Sequence, residues 1–545
     1  MGLDSDSTHQ KISDSEAYKT EVELAMISEL VDFVKRMENS SICKGLIGEN
    51  SPRKKASKLP SGRLFIAAVL VALGGPFNFG YQLLITNPSQ EAFIQFLNDS
   101  HHQNHNESLS REQLEGRWSF IISVFFWGCL AGAFLIRILA EKFGRKNALQ
   151  ISHFIQIVSC MLTIFSFYQV DAVVYSVARF LLGLGITISC GVAPMFITEC
   201  SPKECRGVTS MLNGLLLQAA LVVGATLAMP QLFGNGDDWW KLYATELAIT
   251  TIVMILVIFI HDTPGYLHGS NDDRSERAVR FYHNTSGEEL QTTLKQLDQD
   301  NIDFQRVGLF SIWKNPMARL GTLVGGVVAV SMVMSGIAAI NAFSFEILLS
   351  TGLTVEQASF GNIAVCLTSV FGILFSALIV DRFGRRVLLL TTYGLLAVNN
   401  LVIAELMYGF QRAQSNAFGY PLLAAICLFN LLFAAGPGPV ALFITAELVD
   451  QNSRGAACTW VNVFMCAVRS VLVACYLPLK NFIGQPLAYF SLFFWPMVCT
   501  VILLYFFLPE TKGKTAAEVQ ETWKSMPAPC RKRRQGSAST AASKA

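Results

Sequence analysis

The sequence predicts an all-α membrane protein of twelve transmembrane helices, arranged as two six-helix pseudo-repeats. Three observations carry that expectation. Of the 545 residues, 52% are hydrophobic and only 15% charged, against roughly 25% charged in a soluble domain. The charges avoid twelve apolar stretches, each long enough for the ~20 residues that a bilayer crossing needs. Two different charged motifs also occur twice, in the same order and six stretches apart.

The elements follow along the chain. Residues 1–63 form a polar N-terminal tail with no cleavable leader pattern. Within it Leu24, Ile27, Leu30, Val31 and Val34 fall at helical spacing. They predict a short amphipathic helix that packs on the protein's own surface or docks a partner. A first bundle, 64–262, holds spans 1 to 6 near 64–88, 118–140, 148–168, 172–197, 208–232 and 242–261. A charged linker, 263–316, contains helix-like pieces at 273–283 and 287–300. The second bundle, 317–510, holds spans 7 to 12 near 319–343, 358–380, 387–409, 420–446, 456–477 and 486–508. A basic tail, 511–545, carries the run Arg531, Lys532, Arg533, Arg534.

Basic residues set the orientation. They crowd the N-terminal flank (Arg53, Lys54, Lys55, Lys58, Arg63) and the linkers after spans 2, 4, 8 and 10, whereas the alternate linkers have few. The positive-inside rule then puts both termini in the cytosol. The first outward loop, ~90–116, reads as polar and carries sequons at Asn98 and Asn106, where glycosylation is expected. The sequons at Asn39 and Asn284 fall on the cytosolic side and should stay bare. The four basic residues of the C-terminal run could attract anionic lipid, though a solvated tail is the commoner case.

Several classes are excluded. A net charge of +2 gives no bias towards nucleic acid. The 13 cysteines lie mostly inside apolar stretches, with neither metal-ligand spacing nor a framework of pairs. There is no nucleophile–base constellation, phosphate loop or metal cluster, so no enzyme, cofactor or metal is expected.

The repeats point to a carrier. Glu141-Lys142-Phe143-Gly144-Arg145-Lys146 follows span 2, and Asp381-Arg382-Phe383-Gly384-Arg385-Arg386 follows span 8. Glu199 and Arg206 bracket the end of span 4 as Glu447 and Arg454 bracket that of span 10. One basic loop recurring would mean little. Two motifs recurring in register imply duplication, which is how transporters with a midplane substrate site between two halves are built.

Those motifs, with GYQLLITNP (80–88), ARFLLGLG (178–185), PMFITECSPKECRG (194–207), SGI (335–337), GPGP (436–439), AELVDQNSRG (446–455) and LPETKG (508–513), carry a family likeness. The chain resembles the sugar-porter family of the major facilitator superfamily, above all the animal facilitative hexose transporters, over about Leu64 to Glu518. The resemblance implies a plasma-membrane transporter of a small solute working by alternating access. It implies a cytosolic gate in which Glu199 pairs with Arg454 and Glu447 with Arg206, joined by Arg145, Arg386 and Asp381. Such partly exposed pairs are worth about 0–1 kcal/mol each, which suits a gate that must open. The run Gly436-Pro437-Gly438-Pro439 breaks span 10 mid-membrane, a break tolerated where backbone lines a cavity.

The sugar site departs from the family pattern. The span 7 glutamine pair before Ser335-Gly336-Ile337 is Met332 and Val333, and the asparagine after it is Ala338. The span 10 glutamate and tryptophan are Ala434 and Leu442, the span 5 glutamine is Gly214, and the span 11 asparagine–tryptophan pair is Met465 and Cys466. Gln218, one turn past Gly214, and Asn341, three residues past Ala338, are the candidate replacements, with Ser335 and Gly436 beside them. Gln82 stands where proton-driven relatives carry an aspartate. It cannot titrate, so uniport is expected.

Arg469 is the anomaly. It lies in an apolar stretch, about 15 residues from the cytosolic end of span 11, where a charge costs at least ~2.5–3.5 kcal/mol without a partner or cavity. It either pairs with Glu346 or Glu405, or meets an anionic or strongly polar solute. Three functions therefore stand: a facilitative hexose carrier, a carrier of a non-sugar or anionic solute recognised through Arg469, and a non-transporting regulatory relative.

Overall fold

In the computed structural model, residues 60–525 are described, apart from 203–204, 269–271, 284–289, 292, 295–306, 414, 513 and 515. The amphipathic stretch at 24–34, the sequons at Asn39 and Asn284, most of 287–300 and the run 531–534 lie outside the described residues.

Eleven helices among the described residues are long and apolar enough to cross a bilayer. Spans 1 to 6 are Gly62–Leu84, Arg111–Phe143, Arg145–Gln169, Ala172–Cys200, Arg206–Leu227 and Trp240–Ile258. Spans 7 to 9 are Pro316–Leu349, Val355–Phe383 and Arg385–Ala413. Span 10 comes in two pieces, Gly419–Ala435 and Pro437–Leu448, hinged at Gly436, and spans 11 and 12 are Gln451–Ile483 and Gln485–Phe507. All twelve expected spans are present.

Local chemistry sets their ends, and it repeats. Span 2 opens with a capping box of Ser110 and Gln113, and span 8 with one of Thr354 and Gln357. In each, the side chains satisfy amides that a helix start leaves without partners. Both spans stop at a glycine of positive φ, Gly144 (86°) and Gly384 (83°), a conformation that costs glycine little. Spans 3 and 9 begin at the next residue, so each turn is as tight as a backbone allows.

The segment between spans 1 and 2 differs from its sequence reading. Residues Gln90–His105 form a helix rather than a polar loop. Phe93 and Phe96 face one side of it and enter a cluster with Trp118, Tyr175 and Trp239, at ring distances of 4.8–5.9 Å. Alternating polar residues mask the apolar stripe in composition, but not in helical projection. Within the linker, helix Asp272–His283 docks on the foot of span 1, where Ser61 donates to the Tyr282 carbonyl at 2.6 Å.

Packing within and between the halves places the site. Span 2 lies along span 11 and span 5 along span 8, so both contacts join the first six helices to the second six. Spans 2 and 4 meet backbone to backbone. A Cβ on Gly183 would stand 2.0 Å from the Phe125 carbonyl oxygen, and one on Gly128 2.0 Å from that of Phe180. Small residues at such crossings substitute van der Waals contact for the missing hydrophobic drive between helices in lipid. Gly183→Val should therefore force the pair apart and cost about 1–3 kcal/mol or more. Thermal unfolding of the detergent-solubilised protein should show a clear drop in Tm, and an unchanged Tm would mean that the crossing is not tight.

Candidate functional site

The two faces of the bundle differ in how their charges are shared. One face, here the basic face, carries the turns at Gly144 and Gly384 and the ends of spans 4, 6, 10 and 12. Glu199 accepts from Arg145 at 2.7 Å and from the Thr263 hydroxyl at 2.7 Å. Asp262, next to Thr263, caps span 3 by accepting from the Lys146 amide at 3.1 Å. The second half repeats this arrangement. Glu447 pairs with Arg385 at 3.4 Å and accepts from the Thr511 hydroxyl at 2.5 Å, while Glu510 accepts from the Arg385 and Arg386 amides at 2.8 and 3.1 Å.

The expected pairings of these acids are thus replaced in this structure. Glu199 and Glu447 hold arginines of their own half, not Arg454 and Arg206. Those two side chains are exposed and form no ion pair among the described residues. In the second copy the partner is Arg385, the true counterpart of Arg145 after the glycine. Arg386 instead lies over Tyr505 and donates to its carbonyl at 2.8 Å. Asp381 lies in span 8, and its side chain is outside the described residues.

The opposite face is latched across the halves. Lys480 of span 11 sits between Glu346 of span 7 at 2.5 Å and Glu115 of span 2 at 3.3 Å. Asn481 donates to Glu115 at 3.1 Å, and Gln90 to Glu346 at 2.7 Å. One turn deeper, Asn87 donates to Ser344 at 2.7 Å and accepts from the Phe345 amide at 3.0 Å. Span 7 is kinked beneath these contacts at Gly336, whose φ is 110°. Asn400 holds the kink by donating to the Ser335 carbonyl at 2.8 Å, and Tyr489 donates to Asn400 at 3.1 Å.

Below the latch lies a narrow cavity walled by both halves. Spans 1, 2 and 4 contribute Gln82, Phe125, Phe126 and Arg179, the turn after span 1 contributes Thr86, and spans 7 and 11 contribute Asn341 and Arg469. Arg179 donates to Gln82 at 2.7 Å and to the Tyr243 hydroxyl at 3.4 Å, and lies 4.8 Å from the Phe125 ring centre. Gln82 in turn donates to Glu246, so a carboxylate answers Arg179 through one amide. Arg469, only 7% exposed, lies 5.6 Å from the Phe126 ring centre, and its Nε has no hydrogen-bond partner.

Of the solute-contact candidates, the structure brings Asn341 and Arg469 to this cavity. Gln218 is buried in span 5 away from its walls, with an unsatisfied side-chain oxygen. Ser335 spends its hydroxyl on the Met332 carbonyl at 2.7 Å. Gly436 sits against Thr392 of span 9, where a Cβ would approach the hydroxyl to 2.4 Å. A second narrow cavity is lined by Met332, Thr445, Asn462 and Met465 among others. The thioethers that stand where the resemblance implies amides therefore share its wall. Sequence reasoning missed Arg179, Glu115 and Lys480. Arg179 carried the same signal as Arg469, a cation within an apolar stretch, but was absorbed into a family motif.

The sequons divide as well. Asn98 lies inside helix Gln90–His105, and the hydroxyl of its partner Ser100 is buried against the Ala172 amide at 3.0 Å. Asn106 caps the exposed end of that helix with φ 53°.

Comparison with known proteins agrees with this architecture. The family described as "Sugar (and other) transporter" matches residues 67–523. A facilitated glucose transporter homolog from Caenorhabditis elegans is 28% identical, the match covering 84% of this chain and 89% of that protein. Solute carrier family 2, facilitated glucose transporter member 9 from Mus musculus is 24% identical, over 86% and 87%. The inward open xylose transporter XylE from E. coli superposes with a TM-score of 0.69 at 17% identity, over 84% of this chain and 100% of that one.

The latch yields a direct test. Lys480→Ala removes the cation that Glu115 and Glu346 share and leaves Glu115 to Arg111 of its own half, which should weaken closure of this face by about 1–2 kcal/mol. Spin labels on Glu112→Cys and Glu356→Cys, at the ends of spans 2 and 8 on this face, should then show a growing long-distance population. An unchanged distance distribution would mean that apolar packing alone holds the face shut.

Proposed function

The chain belongs to the sugar (and other) transporter family, and on that premise we propose that it is a uniporter moving a small polar solute of the hexose class by alternating access. It is an integral membrane transporter, not an enzyme. The observation that carries the reading is the asymmetry of the two faces around a cavity shared by both halves. On one face Lys480 ties span 11 to spans 2 and 7. On the basic face each acid holds its own half's arginine.

The positive-inside rule makes the basic face cytosolic, with both termini on that side and the plasma membrane as the setting. The conformation is then the inward-facing one. Closing the cytosolic side would bring Glu199 to Arg454 and Glu447 to Arg206, while the Lys480 bridge parts. Arg145 and Arg385 hold the carboxylates in the meantime, so neither is left unpaired in either state. Asn106 is the glycosylation site that this orientation and its exposure favour.

Gln82 supports uniport over proton coupling. It occupies the wall of the cavity as a neutral amide between Arg179 and Glu246, and an amide carries no proton through the cycle.

Two measurements test this. Proteoliposomes of the purified chain should take up at least one labelled hexose or hexose derivative saturably, with acceleration by unlabelled solute inside and no response to a protonophore. Proton-gradient dependence would overturn uniport. Arg454→Ala and Arg206→Ala should each slow net uptake by about fivefold, the equivalent of ~1 kcal/mol, with the Tm unchanged. Full-rate uptake in both variants would remove the cross-half gate.

A further inference from the structure

Arg469 is a cation whose charge no described residue answers. It forms no ion pair or hydrogen bond among the described residues, and it lines the cavity from span 11. Neither of the two acids that the sequence offered it pairs with it. Glu346 holds Lys480 at 2.5 Å and Gln90 at 2.7 Å, and Glu405 is exposed on span 9. Arg179 on the facing wall is a different case, because Gln82 links it to Glu246. The Phe126 ring, at 5.6 Å, offers only the modest attraction of a cation over an aromatic face.

A charge held at mid-membrane depth faces a cavity or a partner. Here the cavity is present and the partner is not. Building on the transport reading above, we propose that the counter-charge arrives with the solute, and that the cavity takes a hexose-sized polyhydroxylated monoanion, a sugar acid such as a hexuronate. Its carboxylate pairs with Arg469, for which the planar guanidinium fork is well matched. Its hydroxyls meet Gln82, Thr86 and Asn341 on the same walls. The lost sugar-site amides fit this account. A solute anchored by a charge-assisted pair depends less on a full set of neutral hydrogen bonds.

Glucose and glucuronate form a matched pair of probes, with one carbon skeleton and either a hydroxymethyl or a carboxylate at the sixth carbon. In proteoliposomes of the full chain, glucuronate should be taken up with a kcat/KM at least about tenfold above that of glucose, because a site built for a polar group rejects the analogue lacking it. Its uptake, unlike that of glucose, should rise when valinomycin and external potassium make the interior positive, since a net charge crosses. Arg469→Gln should bring the ratio of the two solutes close to one, and Arg469→Lys should keep part of the preference. Should Arg469→Gln fail to fold, the wild-type ratio and its voltage response still decide the matter. Glucose uptake without glucuronate uptake overturns the anion inference and leaves the transport reading standing. Neither solute moving in the wild type overturns the anion inference, and the transport reading falls with it only when no other labelled hexose moves either.

Discussion

The bridge from Glu115 through Lys480 to Glu346 fixes the state in which the rest of the molecule is seen. It draws one helix of the first half and two of the second together on a single face, at 3.3 and 2.5 Å. All three side chains are mostly shielded, so the attraction is less screened than that of an exposed pair. Arg111 of the first half also holds Glu115 at 2.9 Å, and Asn481 and Gln90 add amide donors to the two carboxylates. Everything beneath follows from that closure. The kink at Gly336 swings the C-terminal part of span 7 over the cavity, and Asn400 and Tyr489 hold it there. On the basic face, no such tie crosses between the acids of the two halves among the described residues.

Duplication explains why the basic face can do without one. Each half carries the same self-contained cluster: an acid at the end of its fourth helix, an arginine after the glycine turn, and a threonine and carboxylate after its sixth helix. Glu199, Arg145, Thr263 and Asp262 in the first half become Glu447, Arg385, Thr511 and Glu510 in the second. An acid that is satisfied within its own half can leave a cross-half partner at little cost. That is the energetic requirement of a gate, since two states exchange readily only when neither strands a charge.

The fold was almost wholly legible in the sequence because a bilayer forces each crossing to be a long apolar helix with all backbone groups paired internally. The twelve spans differ from their expected limits by a few residues, mostly where capped helices run past the apolar stretch, as span 2 does back to Arg111. The helix at Gln90–His105 was not legible by composition, because seven buried positions are interleaved with polar ones. The site was legible only in part. Arg469 announced itself as a charge out of place, and Asn341 by its spacing from a family position. The choice of Arg385 over Arg386 is a matter of which residue follows the turn with its side chain towards Glu447. Partners such as Lys480 and Glu346, 134 positions apart, are brought together by tertiary packing that no local pattern encodes.

The two arginines of the cavity show how its walls divide their labour. Arg179 is tied into a chain with Gln82 and Glu246 that lies wholly within the first half, so its charge is settled whichever way the halves rock. It positions Gln82 and shapes the wall. Arg469 belongs to the second half, and Phe126 across from it belongs to the first. A ligand can shift a conformational equilibrium only through interactions that differ between the states. A group already neutralised inside one half gives the same contribution in both, and cannot report occupancy. A cation left unanswered at the boundary between the halves can, because whatever pairs with it also touches the opposite wall. The placement of Arg469 makes it the group in this cavity best able to couple an occupied site to the movement of the halves.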